Sequence, residues 1–163
     1  MRMRLMRNTT AGFTLVELLI TLAIVAVLAS AAMPLTEVVA KRAREQELRS
    51  ALRQIRTAID TYKDLADRGR VARAADESGY PRTLDVLVDG VADEKDPEKR
   101  RIYILRRLPR NPMWTDANTR PAATWGLRSY NSSPQSPQPG RDVFDVYVDS
   151  GGVGLNGIAY REW

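Results

Sequence analysis

Apolar and polar positions fall into contrasting patterns along this chain. Across residues 18–36 no residue is charged and nearly all are apolar. That length is close to the roughly 20 residues a helix needs to cross the hydrocarbon of a bilayer. Further on, Leu48, Leu52, Ile55, Ile59, Tyr62 and Leu65 recur at spacings of three and four, with Arg49, Arg53, Arg56, Asp60, Lys63 and Asp64 between them. Such a spacing is the stripe of an amphipathic helix. The two patterns join into one predicted helix over residues 13 to about 67, apolar all round in its first half and on one face in its second. Pro34 interrupts it, because an internal proline removes a backbone hydrogen bond and commonly kinks a helix.

Beyond Gly69 the helical period is lost. In ESGYPRTLDVLVDG, Thr83 is placed to cap a short helix whose buried side is Leu84, Leu87 and Val88, and Gly90 stops it. EKDPEKRR reads as a solvated connection, and IYILRRLPRNPM as an extended segment ended by prolines. Two strands are predicted, 124–130 (TWGLRSY) and 142–148 (DVFDVYV), separated by the loop NSSPQSPQPGR. In the second, Phe144, Val146 and Val148 alternate with Asp145, Tyr147 and Asp149, as one buried face requires. The tail DSGGVGLNGIAYREW is a glycine-punctuated loop. The sum is an α+β chain: a long N-terminal helix packed on a small antiparallel sheet with a loop-rich C-terminus.

Charge and composition refine this picture. Residues 1–12 carry Arg2, Arg4 and Arg7 and no acid, which by the positive-inside bias keeps the N-terminus cytoplasmic and exports the C-terminal part of the chain. Unlike a secretory peptide, this leader ends in the small residues Ala11 and Gly12 before the apolar run, so a cut after Gly12 leaves the helix on the mature chain. The resulting division is a leader (1–12), a membrane or core helix (13–40) and an exported globular part (41–163). Loss of three arginines would lower the formal charge from +5 to +2, so the basic balance is weak support for a nucleic-acid partner, and none is expected. Absence of Cys leaves packing or a metal to hold the exported part, and absence of His removes the commonest general base and zinc ligand. No P-loop, dinucleotide fingerprint, H-x-x-x-H or G-x-S-x-G is present, and Asp142 and Asp145 fall on opposite faces of their strand, against a paired-carboxylate site. An enzyme is not expected. The basic residues Lys99, Arg100, Arg101, Arg106, Arg107 and Arg110 are interleaved with Glu94, Asp96 and Glu98, which favours a solvated or subunit-pairing face over a phosphate patch. Trp114, Trp125 and Trp163 read as core or interface anchors.

Glu17 is the chemically informative residue. It stands at the lip of the apolar run, where an ionisable group costs at least about 2.5 kcal/mol unless partnered. Cleavage after Gly12 would create an α-amine on Phe13, four residues away, able to pair within one chain or with a neighbouring chain. The alternative is that Glu17 lies at the headgroup boundary of an ordinary signal anchor.

The run Gly12-Phe13-Thr14-Leu15-Val16-Glu17, the apolar helix and Pro34 resemble the N-terminal signature of type IV pilins and of the pseudopilins of type II secretion systems. Tyr80-Pro81, Thr83-Leu84, Leu108-Pro109-Arg110-Asn111-Pro112 and the WGLRSY segment are similar in order to major pseudopilins, although Asn111 stands where that family usually has Asp. The resemblance implies a pilin-like fold and cleavage between Gly12 and Phe13 by a membrane prepilin peptidase that also methylates the Phe13 amine. It implies that Glu17 neutralises a neighbour's amine during assembly and that Pro34 marks a flexible point of the filament core. It also implies an inner-membrane subunit that polymerises with itself, minor pseudopilins and an assembly platform with its ATPase into a periplasmic filament driving protein export. A calcium ion in the C-terminal loop is implied too, with Asp149 as one ligand and Asn156 as the second side chain, against the alternative that Asp149 and Ser150 form an Asx-type turn. Two other roles stay open: a surface type IV pilin, and a membrane-anchored periplasmic domain that never polymerises.

Overall fold

The computed structural model describes residues 12–149 and 151–163, excepting the side chains of 31–35. Residues 1–11 of the expected leader, and Ser150, lie outside the described residues. The chain separates into two units, Met1–Ala40 and Lys41–Trp163. One helix, α1 (Leu15–Asp67), contributes to both. It runs unbroken through position 34, so Pro34 does not interrupt it as the sequence suggested. A proline forfeits one i→i−4 bond and strains the turn before it, which so long a helix absorbs.

The second unit is built on the apolar stripe of α1. Leu48, Leu52, Ile55 and Ile59 are buried, joined by Ala51 and Ala58 on the same face. They pack against Leu84, Leu87, Leu105, Trp125, Val143, Val146, Val148 and Tyr160, with Tyr62 partly buried at the margin. Leu65, Ala66 and Val71 form a smaller cluster where α1 ends.

The remaining elements are short. Helix α2 (Val86–Asp89) is a single turn. Its N-cap position is Asp85, not the expected Thr83, and the Asp85 side chain makes no capping bond; its carboxylate pairs with Arg120 instead. Gly90 ends the turn at φ +77°, a left-handed conformation that favours glycine. Leu87 is buried, and its carbonyl accepts from the backbone N–H of both Ile104 and Leu105, tying α2 to the following extended segment.

The expected single sheet is instead two separate two-stranded antiparallel ribbons. In one, β1 (Val91–Ala92) pairs with β2 (Arg101–Ile102). In the other, β3 (Gly126–Arg128) pairs with β4 (Asp145–Tyr147) in the register Gly126↔Tyr147, Leu127↔Val146 and Arg128↔Asp145. Both predicted strands are therefore shorter than their sequence patterns. Thr124 belongs to a 3₁₀ turn (Pro121–Thr124) that precedes β3. Val143 is buried beside Val146 and Val148, whereas Phe144 turns out of the alternation to meet Tyr80 and Tyr130 edge-on. The Tyr147 ring lies over Gly126, where a Cβ would come within 2.5 Å of it, so only glycine fits that position.

Three polar tethers hold the loops to this core. Arg56 of α1 donates to Asp145 Oδ1 (2.8 Å), to Val146 O (3.1 Å) and to Trp163 O (2.8 Å), joining helix, ribbon and tail. Arg70 pairs with Asp93 just beyond β1. Asp142 accepts from Ser78 Oγ, Ser129 Oγ (2.8 Å) and Tyr130 N–H (2.9 Å), so one carboxylate closes the loop on either side of NSSPQSPQPGR.

Both carboxylates titrate below the ordinary range. The hydrogen bond from Arg70 is the main cause for Asp93. Burial works to raise Asp142, but the bonds from Ser78, Tyr130 and Ser129 outweigh it. A depressed folded-state pKa contributes stability that is present above the unfolded carboxylate value of about 3.9 and lost as the pH falls through the folded value. Asp142→Asn is accordingly expected to cost about 1–3 kcal/mol at neutral pH, since an amide cannot accept from all three donors. It should also flatten the acid limb of the stability curve, which denaturant titrations of both proteins at neutral and acidic pH would show.

Candidate functional site

The N-terminal candidates converge on one turn. Gly12, Phe13 and Thr14 precede α1, and Glu17 lies in its first turn. Thr14 Oγ1 accepts the Glu17 backbone N–H (3.2 Å) and Thr14 O accepts from Leu18 N (3.1 Å), the geometry of an N-cap. Thr14-Leu15-Val16-Glu17 has the spacing of a capping box, a local signal that the apolar periodicity does not reveal. The helix start is thus fixed by a backbone donor of residue 17, which leaves the Glu17 carboxylate for another role. That carboxylate is exposed and forms no ion pair among the described residues.

The apolar side chains that come after it are exposed as well. Phe13 is 80% exposed, Leu18 64% and Val27 69%, and Leu15, Val16, Leu19, Ile20, Leu22, Ile24, Val25 and Leu28 are similarly open. Two hydroxyls in this stretch satisfy themselves on the helix: Thr21 Oγ1 donates to Leu18 O (2.9 Å) and Ser30 Oγ to Val27 O (2.8 Å). Glu17 is then the one polar group of the apolar stretch 15–30 whose side chain the helix itself does not satisfy among the described residues. Among the described residues no helix is long and apolar enough to cross a membrane; the side chains of 31–35, inside the uncharged run 18–36, lie outside them. Pro34 is within α1, and its side chain is among these.

The C-terminal candidates lie in the loop after β4. Asp149 is exposed, and Asn156 Oδ1 accepts the backbone N–H of Ile158 (3.1 Å). Around them the loop folds into a tight hairpin, with Val153 bridging Ala159, Gly154 N bonded to Ile158 O (2.8 Å) and Tyr160 N to Gly152 O (3.1 Å). Among the described residues no group of three Asp, Glu, His or Cys is placed to hold a metal. What the sequence did not disclose is that this loop is bound to α1 by Glu45 and Lys41. Glu45 reads as one more solvent charge of an amphipathic helix, yet it is only 3% exposed.

Two residues of the basic run meet acids. Lys99 pairs with Glu94 (3.2 Å) and Arg100 with Asp96 (2.6 Å) and Glu98 (3.7 Å), while Arg110 donates to the carbonyls of Asp116, Ala117 and Thr119. The interleaved acids thus take up part of the basic run, and Arg101 donates to Asp89 O (2.9 Å). Asp142 and Asp145 take separate partners, the former Ser78 and Ser129, the latter Arg56 and Arg128.

Asn111 is fully buried (0% exposed), and both ends of its amide are hydrogen-bonded. Its Nδ2 donates to Thr124 O (3.0 Å), its Oδ1 accepts from Met113 N (2.9 Å), and its backbone N–H donates to Thr124 Oγ1 (3.1 Å). Trp125 Nε1 donates to Pro109 O (2.9 Å) and Trp114 Nε1 to Thr119 Oγ1 (3.1 Å).

Comparisons with known proteins match the N-terminal segment and most of the chain's length. The prokaryotic N-terminal methylation motif matches residues 7–33. The chain is 29% identical over 140 residues to type II secretion system core protein G of Klebsiella michiganensis, a match covering 83% of this chain and 91% of the relative. No solved structure matches it.

Proposed function

We propose that this chain, which bears the N-terminal methylation motif of the type IV pilin and pseudopilin superfamily and resembles a type II secretion core protein over most of its length, is a structural subunit of a pseudopilus. The observation that carries the reading is the first half of α1, an exposed apolar surface entered by a single carboxylate that the helix cap does not use. So large an apolar surface needs lipid or other copies of itself to cover it.

On this reading the subunit waits in the inner membrane with Arg2, Arg4 and Arg7 on the cytoplasmic side, the run 18–36 in the bilayer and the unit Lys41–Trp163 in the periplasm. A prepilin peptidase cuts between Gly12 and Phe13 and methylates the new amine. An assembly platform with its ATPase then draws subunits into a helical filament, together with minor pseudopilins. Burial of the apolar helix against other copies replaces burial in lipid, and the Phe13 amine of one subunit compensates Glu17 of another. Contacts of this kind are heterologous and do not close, which is the condition for a fibre. The role is mechanical, and the filament's extension moves exported proteins outward.

Deleting the coding sequence in the host and comparing the culture medium with the periplasm tests the assignment. Trapping of exported proteins in the periplasm, with surface fibres and motility intact, is the expected result. Loss of surface fibres, adhesion or DNA uptake with normal secretion would instead identify a type IV pilin.

A further inference from the structure

The C-terminal hairpin is fastened to α1 by side chains of the helix itself. Glu45 Oε1 accepts both the Leu155 backbone N–H (2.8 Å) and the Tyr160 hydroxyl (3.0 Å), and Lys41 Nζ donates to Val153 O (2.9 Å). Lys41 and Glu45 are four residues apart, hence on one face of α1, and reach adjacent points of the same loop. Glu45 and Tyr160 are both buried. Burial first, and the bond to Glu45 second, raise the Tyr160 hydroxyl above its ordinary value, so it stays a donor at physiological pH. Arg49, one turn further along, lies over the Trp163 ring at 4.2 Å, and that ring meets Tyr160 edge-on at 5.0 Å.

The same loop is where the resemblance would place calcium, and the donors of its described residues do not fit that ion. Calcium takes about six to eight oxygens, several from carboxylates. Here Asn156 Oδ1 is occupied by Ile158 N–H, Gly152 O by Tyr160 N–H, Gly154 O by Gly157 N–H, Ile158 O by Gly154 N–H, and Val153 O by a lysine ammonium. Asp149 is the one carboxylate between residues 149 and 160, and Lys41 adds a positive charge at the loop's edge.

We propose that Glu45 and Lys41 form a clasp that takes the place of a divalent cation, so that the order of the C-terminal loop is independent of calcium. The inference stands whether or not the chain polymerises. Amide hydrogen exchange of the full chain in detergent micelles tests it, with calcium alone as the added ligand. Exchange across residues 152–160 should agree between chelator and millimolar calcium in the unaltered protein. Glu45→Ala should accelerate it about tenfold or more, because two donors lose their acceptor, while residues 48–59 of α1 stay protected. Glu45→Gln, which keeps one acceptor oxygen, should fall between. If Glu45→Ala exposes α1 as well, Lys41→Met carries the test, with faster exchange confined to the hairpin. Marked protection of 152–160 by calcium in the unaltered protein, or unchanged exchange in Glu45→Ala or Lys41→Met, would overturn the proposal.

Discussion

Glu17→Ala is expected to leave the subunit folded and inserted in the membrane but to abolish filaments. On the proposed reading, the Phe13 amine of one subunit and the Glu17 carboxylate of another compensate each other away from water in the assembled core. Removing one partner of a buried charge pair costs about 3–5 kcal/mol, because the other charge is left uncompensated. At 1.4 kcal/mol per decade, that is about two orders of magnitude or more in the affinity of each added subunit, applied at every step of the polymer. The structure explains why folding should survive. The cap of α1 uses the backbone N–H of residue 17 as donor to Thr14 Oγ1, and alanine keeps that N–H. Insertion should also survive, since the substitution removes a charge from the apolar segment rather than adding one. Membrane fractionation and electron microscopy of sheared filaments would show wild-type levels of membrane-held monomer and no fibres. Thr14→Ala is the matching control for the cap: a loss of about 1 kcal/mol of helix stability with the charge pair untouched.

Asn111→Asp is expected to destabilise the globular unit by about 2–3 kcal/mol at neutral pH, although Asp is the residue the resemblance leads one to expect there. The amide is buried, and its Nδ2 donates to Thr124 O. A carboxylate would place an acceptor against that carbonyl, lose the bond and bury a charge. The penalty has a signature. Burial would raise the new carboxyl's pKa, so the cost should be full at neutral pH and should shrink as the pH falls and the group protonates, regaining a donor for Thr124 O. Denaturant unfolding of both proteins across that range checks it, and a constant difference at all pH values would contradict the account.

Legibility of this chain followed the range of the interactions. The stripe Leu48, Leu52, Ile55 and Ile59 was readable because helical periodicity repeats over many residues, and each of the four is buried. The Gly12 to Glu17 signature was readable because it is one contiguous run of residues, and it lies within the matched N-terminal methylation motif. The ribbon β3–β4 lies inside the two predicted strands, though shorter than either, whereas β1–β2 was not readable, since strands of two residues carry almost no periodic signal. Asp142 and Ser78 are 64 positions apart, and Glu45 and Tyr160 are 115 apart. Glu45 sits three residues before Leu48, on the line of the buried stripe, and Glu47 does not; what the sequence conceals is the distant partner that a buried carboxylate there requires. Thr83 looked like a cap because its residue type suits one, but the chain turns two residues later, at Asp85.

The central claim is that the chain enters a filament as a processed pilin-like subunit, and its N-terminus tests this most directly. Intact mass and N-terminal analysis of the protein taken from the membranes of its own host should give a chain that begins at a methylated Phe13. A protein that retains residues 1–12 would contradict the account and leave an ordinary membrane-anchored domain with no amine for Glu17 to meet.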